Sequence, residues 1–166
     1  SDLVEKSSVK EQKEFDQLKA RGTWEHVDGS LVHKRPLGTK LVLKIKRDAR
    51  TNEIEKYKAR LTVQGFRQIQ GYDYTKTTSP VTVYATFLFT IAHATRHGRK
   101  LKTMDFAGAF LFPYLQEEIY MKLPQFYEAE SGTLLKLRKS LYGLKQASRE
   151  WYLALTDALS KVGHSM

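Results

Sequence analysis

Leu101-Lys-Thr-Met-Asp-Phe-Ala-Gly-Ala-Phe110 reads as a short strand, Lys100 to Asp105, that runs into small residues and then the start of a helix. Asp105 is the only carboxylate between Asp73 and Glu117, and it stands where the apolar run ends. Two roles fit such an acid. It can cap the helix that follows by accepting its free N–H groups. At the C-terminal end of a buried strand it can instead hold a metal at the rim of a sheet. Spacing alone favours the cap, and the rest of the chain shifts the balance to the metal.

Working outward, the chain of 166 residues is one domain or a piece of a larger one, long enough to bury a core. Its 41% hydrophobic and 11% aromatic content is that of a globular protein rather than a disordered one. The absence of cysteine excludes a disulfide framework and a thiolate metal site, as suits an intracellular protein. No apolar run approaches the length of a membrane span, and the N-terminus lacks the apolar core of a signal peptide. The chain opens at Ser1 rather than Met, as a cut or processed segment would. A formal net charge of +10 calls for a polyanionic partner. Nucleic acid suits it better than a membrane, because no basic amphipathic helix stands out.

Upstream of the central stretch, residues 8–21 place Val9, Phe15 and Leu18 among charges, as a weakly amphipathic surface helix stopping near Gly22 does. Thr23 to Val27 reads as a short strand, and Asp28-Gly29-Ser30 as a turn. The clearest pattern follows. Leu41, Leu43 and Ile45 alternate with Val42, Lys44 and Lys46; Tyr57, Ala59, Leu61 and Val63 alternate with Lys56, Lys58, Arg60 and Thr62. Two such runs joined by the polar link Asp48 to Glu53 predict an antiparallel hairpin. One face then carries Lys44 and Lys46 on the first strand, and one face carries Lys56, Lys58 and Arg60 on the second. Between Lys40 and Arg67 stand nine Lys/Arg against three Asp/Glu. Lysines also discourage edge pairing of a solvated hairpin, yet so many cations on neighbouring strands repel one another until an anion arrives.

A loop over 65–74 and the Ser79-Pro80 break precede a predicted helix from Val81 to His97, with Val83, Phe87, Ile91 and Ala94 forming a core face. His93 and His97 are spaced i, i+4 as in some zinc pairs, but no further His, no Cys and no nearby acid joins them. Downstream, Ala107 to Leu115 is a short helix or turn limited by Pro113. Glu118 to Lys122 and Leu134 to Arg138 are strands. Leu141 to Gln146 is a turn, followed by a helix from Ala147 to Val162 with Ser148 as N-cap and Trp151, Leu155, Leu159 and Val162 as its buried stripe.

Several blocks now stand in order. They are Tyr57-Lys-Ala-Arg-Leu61 with Gly65-Phe66 and Gln68, Gly71-Tyr-Asp-Tyr74, and Ser79-Pro-Val81. Met104-Asp105 with Ala109-Phe-Leu111, Glu117-Glu-Ile-Tyr-Met121 with Pro124, and Lys139-Ser-Leu-Tyr-Gly-Leu-Lys-Gln146 with Arg149 and Trp151 complete the set. Over residues 11 to 163 the chain resembles the reverse transcriptase of copia-type LTR retrotransposons. Each block alone is weak; their joint order is specific.

The resemblance implies an α+β chain with the right-hand polymerase fold, built of antiparallel hairpins packed by helices. It would place fingers at about 20–80 and 112–140, and an incomplete palm at about 81–111 and 141–166. It implies that Lys46 and Arg60 touch the triphosphate and that Lys44, Lys56 and Lys58 grip nucleic acid. Asp105 would be the first metal-binding aspartate, aided by the backbone carbonyl of Phe106. Phe110 would lie under the sugar and reject a ribose 2′-hydroxyl, and Tyr142 and Gly143 would flank the nucleotide and template base. The implied cofactor is Mg²⁺ in the complete enzyme, as a pair of ions about 4 Å apart, for which carboxylates are the right hard ligands. The implied partners are an RNA template, a DNA primer, a dNTP and the remainder of the polymerase chain, with no membrane. Its implied setting is intracellular, in a cytoplasmic virus-like particle and in the nucleus.

Departures qualify what this stretch does by itself. A polymerase palm needs a second acid pair, and no Asp-Asp occurs here; the only aspartate after Asp105 is Asp157. The pair is expected beyond Met166, with the thumb and RNase H regions, so the stretch alone is expected to bind nucleic acid weakly and catalyse nothing. Phe112-Pro113 replaces a usual polar-Gly turn, Ser148 a usual proline, and Tyr84-Ala85 stands where an arginine is common. A non-catalytic nucleic-acid-binding module, or an inert remnant of a retroelement, is the alternative.

Overall fold

A computed structural model describes residues 2–127 and 129–163, with side chains from Val9 onward. Helix α1 (Asp2–Ala20) leads into strand β1 (Trp24–Asp28). The hairpin β2 (Thr39–Arg47) and β3 (Ile54–Val63) follows, then helix α2 (Tyr84–Arg96). The short strands β4 (Tyr120–Lys122) and β5 (Thr133–Leu137) precede helix α3 (Ala147–Gly163). This is a mixed helix and antiparallel-sheet fold, with the order β1-β5-β4 in one sheet and β2-β3 in the other.

The hairpin is the element most directly written in the alternation of its residues. Leu41 pairs with Leu61, Lys44 with Lys58 and Lys46 with Lys56, in one register that shifts only at Lys46/Arg47. Asp48 shapes its turn by accepting the N–H groups of Arg50 and Thr51 at 2.8 and 3.0 Å. Those bonds hold the Asp48 carboxyl below its ordinary value. The three-stranded sheet extends at its edge through Leu37, whose N–H donates to the Tyr120 carbonyl at 2.8 Å.

The core lies where α1, the end of β3, the three-stranded sheet and the 141–147 turn meet. Phe15, Leu18, Leu61, Met121, Leu135 and Leu141 are buried there. Phe15 stacks within 4.8 Å of Trp24 and 4.2 Å of Tyr127. Burying a side chain of this size contributes about 1.5–3 kcal/mol, so α1 is docked by one face rather than lying free on the surface.

Several expectations are corrected. Residues 99–106 form no strand, and Lys100–Asp105 is exposed; a strand needs a ladder partner, and none of the described residues supplies one. The helix expected from Val81 starts at Tyr84, and the face expected in the core is exposed except at Ala94. Tyr84, Phe87, Leu88 and Phe89 are all open, since nothing among the described residues covers them. On α3, Trp151 and Leu155 are half-buried while Leu159 and Val162 are exposed. Ser148 lies inside the first turn of α3 rather than at its cap, because the helix begins one residue earlier.

Candidate nucleotide-binding cleft

Alternation along β3 turns Lys56, Lys58 and Arg60 to one side, away from buried Ala59, Leu61 and Val63. That side forms a wall of a cleft of about 540 Å³. Its other walls come from α1 and Arg21, from residues 105–111, and from Tyr142. Three separate segments thus bring Asp105, Phe106, Phe110, Lys56, Lys58, Arg60 and Tyr142 to one cavity. Asp105 is exposed and lines the same cavity as those cations.

The segment carrying Asp105 is shaped by a left-handed glycine. Gly108, at φ +71, caps a short 3-10 turn over Ala109–Leu111 without a side-chain bond. Gly108 therefore occupies the cap position that spacing alone would give Asp105. The Phe106 carbonyl accepts the Ala109 N–H at 3.2 Å, which leaves it a second lone pair. The Phe106 ring meets Trp151 at 5.1 Å.

Arg60 and Tyr142 form the opposite corner. The Arg60 guanidinium lies 5.5 Å from the Tyr142 ring centre, and Phe110 meets that ring edge-on at 5.9 Å. Tyr142 is held by its own backbone, whose carbonyl accepts the Val63 N–H at 2.8 Å. The approach is close because Gly143 (φ +93) and Gly65 lack side chains. A Cβ on Gly143 would lie 2.1 Å from the Val63 oxygen, and one on Gly65 would lie 1.9 Å from the Gly143 oxygen.

Lys44, Lys46 and Gly143 lie outside the cleft lining. Lys44 stands opposite Lys58 across the hairpin, and Lys46 is paired with Glu55 at 2.6 Å. Three residues that sequence reasoning passed over do line it: Glu14, Gln17 and Arg21. No local signal marks them, because their place follows from how α1 docks. Burial pushes the Glu14 carboxyl up, against the N–H of Leu61 and the charges of Arg60, Arg21 and Lys58, which pull it down.

Asp105 and the Phe106 carbonyl are hard oxygen donors of the kind Mg²⁺ prefers, and one or two protein carboxylates with substrate phosphates commonly complete such a site. The donor set therefore fits part of a magnesium site. Among the described residues no group of three His, Cys, Asp or Glu side chains is placed to hold a metal by itself. No helix among them is long and apolar enough to cross a membrane.

Comparison with known proteins places these residues in context. The profile of the family described as reverse transcriptase (RNA-dependent DNA polymerase) matches residues 21–166. The chain is 39% identical over 144 residues to the retrovirus-related Pol polyprotein from transposon TNT 1-94 of Nicotiana tabacum, covering 86% of this chain and 11% of that protein. It is 32% identical over 143 residues to the Pol polyprotein from transposon RE1 of Arabidopsis thaliana, covering 85% and 10%. With the Transposon Ty1-LR2 Gag-Pol polyprotein of Saccharomyces cerevisiae it shares 29% over 167 residues, covering 96% and 9%. The chain spans about a tenth of the length of these relatives. No solved structure matches it.

Proposed function

Because the chain belongs to the reverse transcriptase (RNA-dependent DNA polymerase) family of copia- and Ty1-type Pol polyproteins, we propose that its cleft receives the incoming dNTP during the copying of RNA into DNA. The observation that carries this is the convergence of the Asp105 carboxylate, a row of cations and an aromatic pair on a single cavity. A triphosphate needs fixed positive charge, and Arg60 offers it as a planar two-pronged donor while Lys58 offers it as a point charge. Charge that builds on the phosphorus during transfer is stabilised by cations that need no reorganisation. Phe110 supplies a wall with no hydrogen bond for an extra hydroxyl, and so selects by size. The β2–β3 hairpin acts as fingers, with Lys44 and Lys56 along the nucleic-acid path, and residues 81–111 and 141–166 begin the palm.

Asp105 and the Phe106 carbonyl would hold Mg²⁺, which when bound supplies Lewis-acid stabilisation of the phosphates. With one such carboxylate the 166-residue chain binds nucleotide and does not polymerise; the second acid pair belongs to the rest of the polymerase. The test is a dNTP titration of this chain together with primer extension. Binding that Arg60→Ala weakens several-fold, without synthesis, supports the proposal. Binding indifferent to Arg60→Ala removes that residue from the site, and robust synthesis by this chain alone refutes the division of labour.

A further inference from the structure

Helix α1 ends at the cleft. Its last turn closes on Gly22 (φ +63), whose N–H donates to the Lys19 carbonyl at 2.9 Å while the Thr23 N–H reaches the Leu18 carbonyl at 3.2 Å. This left-handed closure makes Arg21 the C-cap residue and fixes its backbone. Leu18 and Thr23 are buried, and the Arg21 carbonyl accepts the Lys139 ammonium at 2.7 Å, so the support of this side chain is rigid.

The side chain itself is held by packing and not by an acid. Its guanidinium lies 5.9 Å from the centre of the Phe112 ring. A Cβ on Gly108 would come within 3.3 Å of its Nη1, so it rests against the segment that carries Asp105. Arg21 is exposed and lines the cleft. Among the described residues no carboxylate forms an ion pair with it, Glu14 and Asp105 of the same cavity included. Lys56, Lys58 and Arg60 lack such a partner too. The helix dipole favours a cation at this end of α1, but that role would be served as well in open solvent. Four cations without ion pairs on one cavity repel one another until an anion enters.

We propose that Arg21 is a second phosphate-binding arginine of the cleft, gripping an oligophosphate from the α1 wall while Arg60 holds it from the β3 wall. This rests on the reading of the cleft as a nucleotide site. A guanidinium offers a phosphate two parallel donors, and its seat on Phe112 lowers the ordering cost of binding. Cations on two walls favour a ligand of linked phosphates, the triphosphate of a nucleotide, over the singly charged phosphodiesters of a strand.

The experiment is calorimetric titration of the 166-residue chain at fixed ionic strength with two probes, inorganic tripolyphosphate and a short oligothymidylate without terminal phosphates. Arg21→Met keeps an apolar side chain against Phe112 and removes charge and donors; Arg21→Lys keeps the charge alone. The expected result is that Arg21→Met binds tripolyphosphate about ten-fold more weakly than the parent, the scale of a charge-assisted hydrogen bond. Arg21→Lys should fall between them, and oligothymidylate binding should change far less. A role in packing alone would lower the melting temperature and leave the affinity in place. Arg21→Met that binds tripolyphosphate like the parent, while Arg60→Ala binds it more weakly, overturns the proposal and leaves the cleft a nucleotide site. Binding that neither substitution weakens fails the nucleotide reading as well. A loss on oligothymidylate as large as that on tripolyphosphate makes the strand backbone the ligand of Arg21 and also overturns the proposal. Should Arg21→Met not fold, Arg21→Gln carries the same comparison.

Discussion

The Arg60 guanidinium rests 5.5 Å from the centre of the Tyr142 ring, while the Tyr142 backbone is bonded to Val63 on the same strand as Arg60. The cation and its aromatic seat therefore move as one unit. A half-buried cation–π contact of this kind is worth about 0.5–2 kcal/mol. It also restrains a long side chain before ligand arrives, which lowers the ordering cost of binding.

Tyr142→Leu should accordingly weaken dNTP binding to the chain about three- to ten-fold, whereas Tyr142→Phe, which keeps the ring, should leave it nearly unchanged. Equal losses for both variants would point to the hydroxyl instead of the ring face.

The crossing of Gly65, Gly143 and Val63 is the seat's foundation. Gly143→Ala should lower stability by about 2–4 kcal/mol, combining backbone strain at φ +93 with a clash against the Val63 carbonyl. Gly71→Ala is the control, since Gly71 has φ +82 but open space around it. It should lose only about 1 kcal/mol, from backbone strain. Thermal unfolding of the two variants measures the difference.

A buried polar network ties the same turn to the loop after β3. The Gln68 amide donates to the Gln146 side-chain oxygen at 3.0 Å, and the Gln146 amide donates to the Asp73 carbonyl at 3.2 Å. Gln68 in turn accepts the Lys145 N–H at 2.8 Å. Gln146→Leu should cost about 1–3 kcal/mol by leaving the Gln68 amide and the Asp73 carbonyl without these partners. Urea unfolding reads the cost, and an unchanged midpoint would mean that water replaces both bonds.

Acid titration should expose Glu14. Its folded pKa lies above the ordinary 4.5, chiefly through burial, so the folded state binds the proton more tightly than the unfolded one. The stability linked to that proton is fully present below pH 4.5 and is lost as pH rises through the folded value. Relative to Glu14→Gln, the parent chain should therefore gain stability as pH falls from 7 towards 4.5. Asp48 acts oppositely, its stabilisation present above 3.8 and lost as pH falls through its lowered folded value. The comparison is best read above pH 4.5. A pH-independent difference between the two proteins would contradict the burial of Glu14.

For the complete polymerase, Phe110→Ala should raise ribonucleotide use about ten-fold or more, because a steric wall, rather than a hydrogen bond, does the rejecting. Unchanged discrimination between dNTP and rNTP would remove Phe110 from the sugar pocket.

Much of this was legible along the chain. Alternation over Leu41–Ile45 and Tyr57–Val63 specified the hairpin, and the ordered blocks from Tyr57 to Trp151 specified the family. Asp105, Arg60, Phe110 and Tyr142 were singled out by those blocks, and the fold brings them to one cavity. The faces of α2 and the strand at Lys100–Asp105 were misjudged for one reason: periodicity reveals which residues share a side, not what lies opposite.

Side-chain direction repeats every two residues in a strand and about every 3.6 in a helix, so the sequence by itself determined the β2–β3 hairpin and the basic face of β3. Tertiary structure alone decided the rest. Docking of Phe15 and Leu18 carried Glu14 to the wall of the cleft, and two glycines let Tyr142 close over Arg60. Such meetings join residues far apart in the chain, where no short-range pattern connects them, and only the packed core brings them within reach.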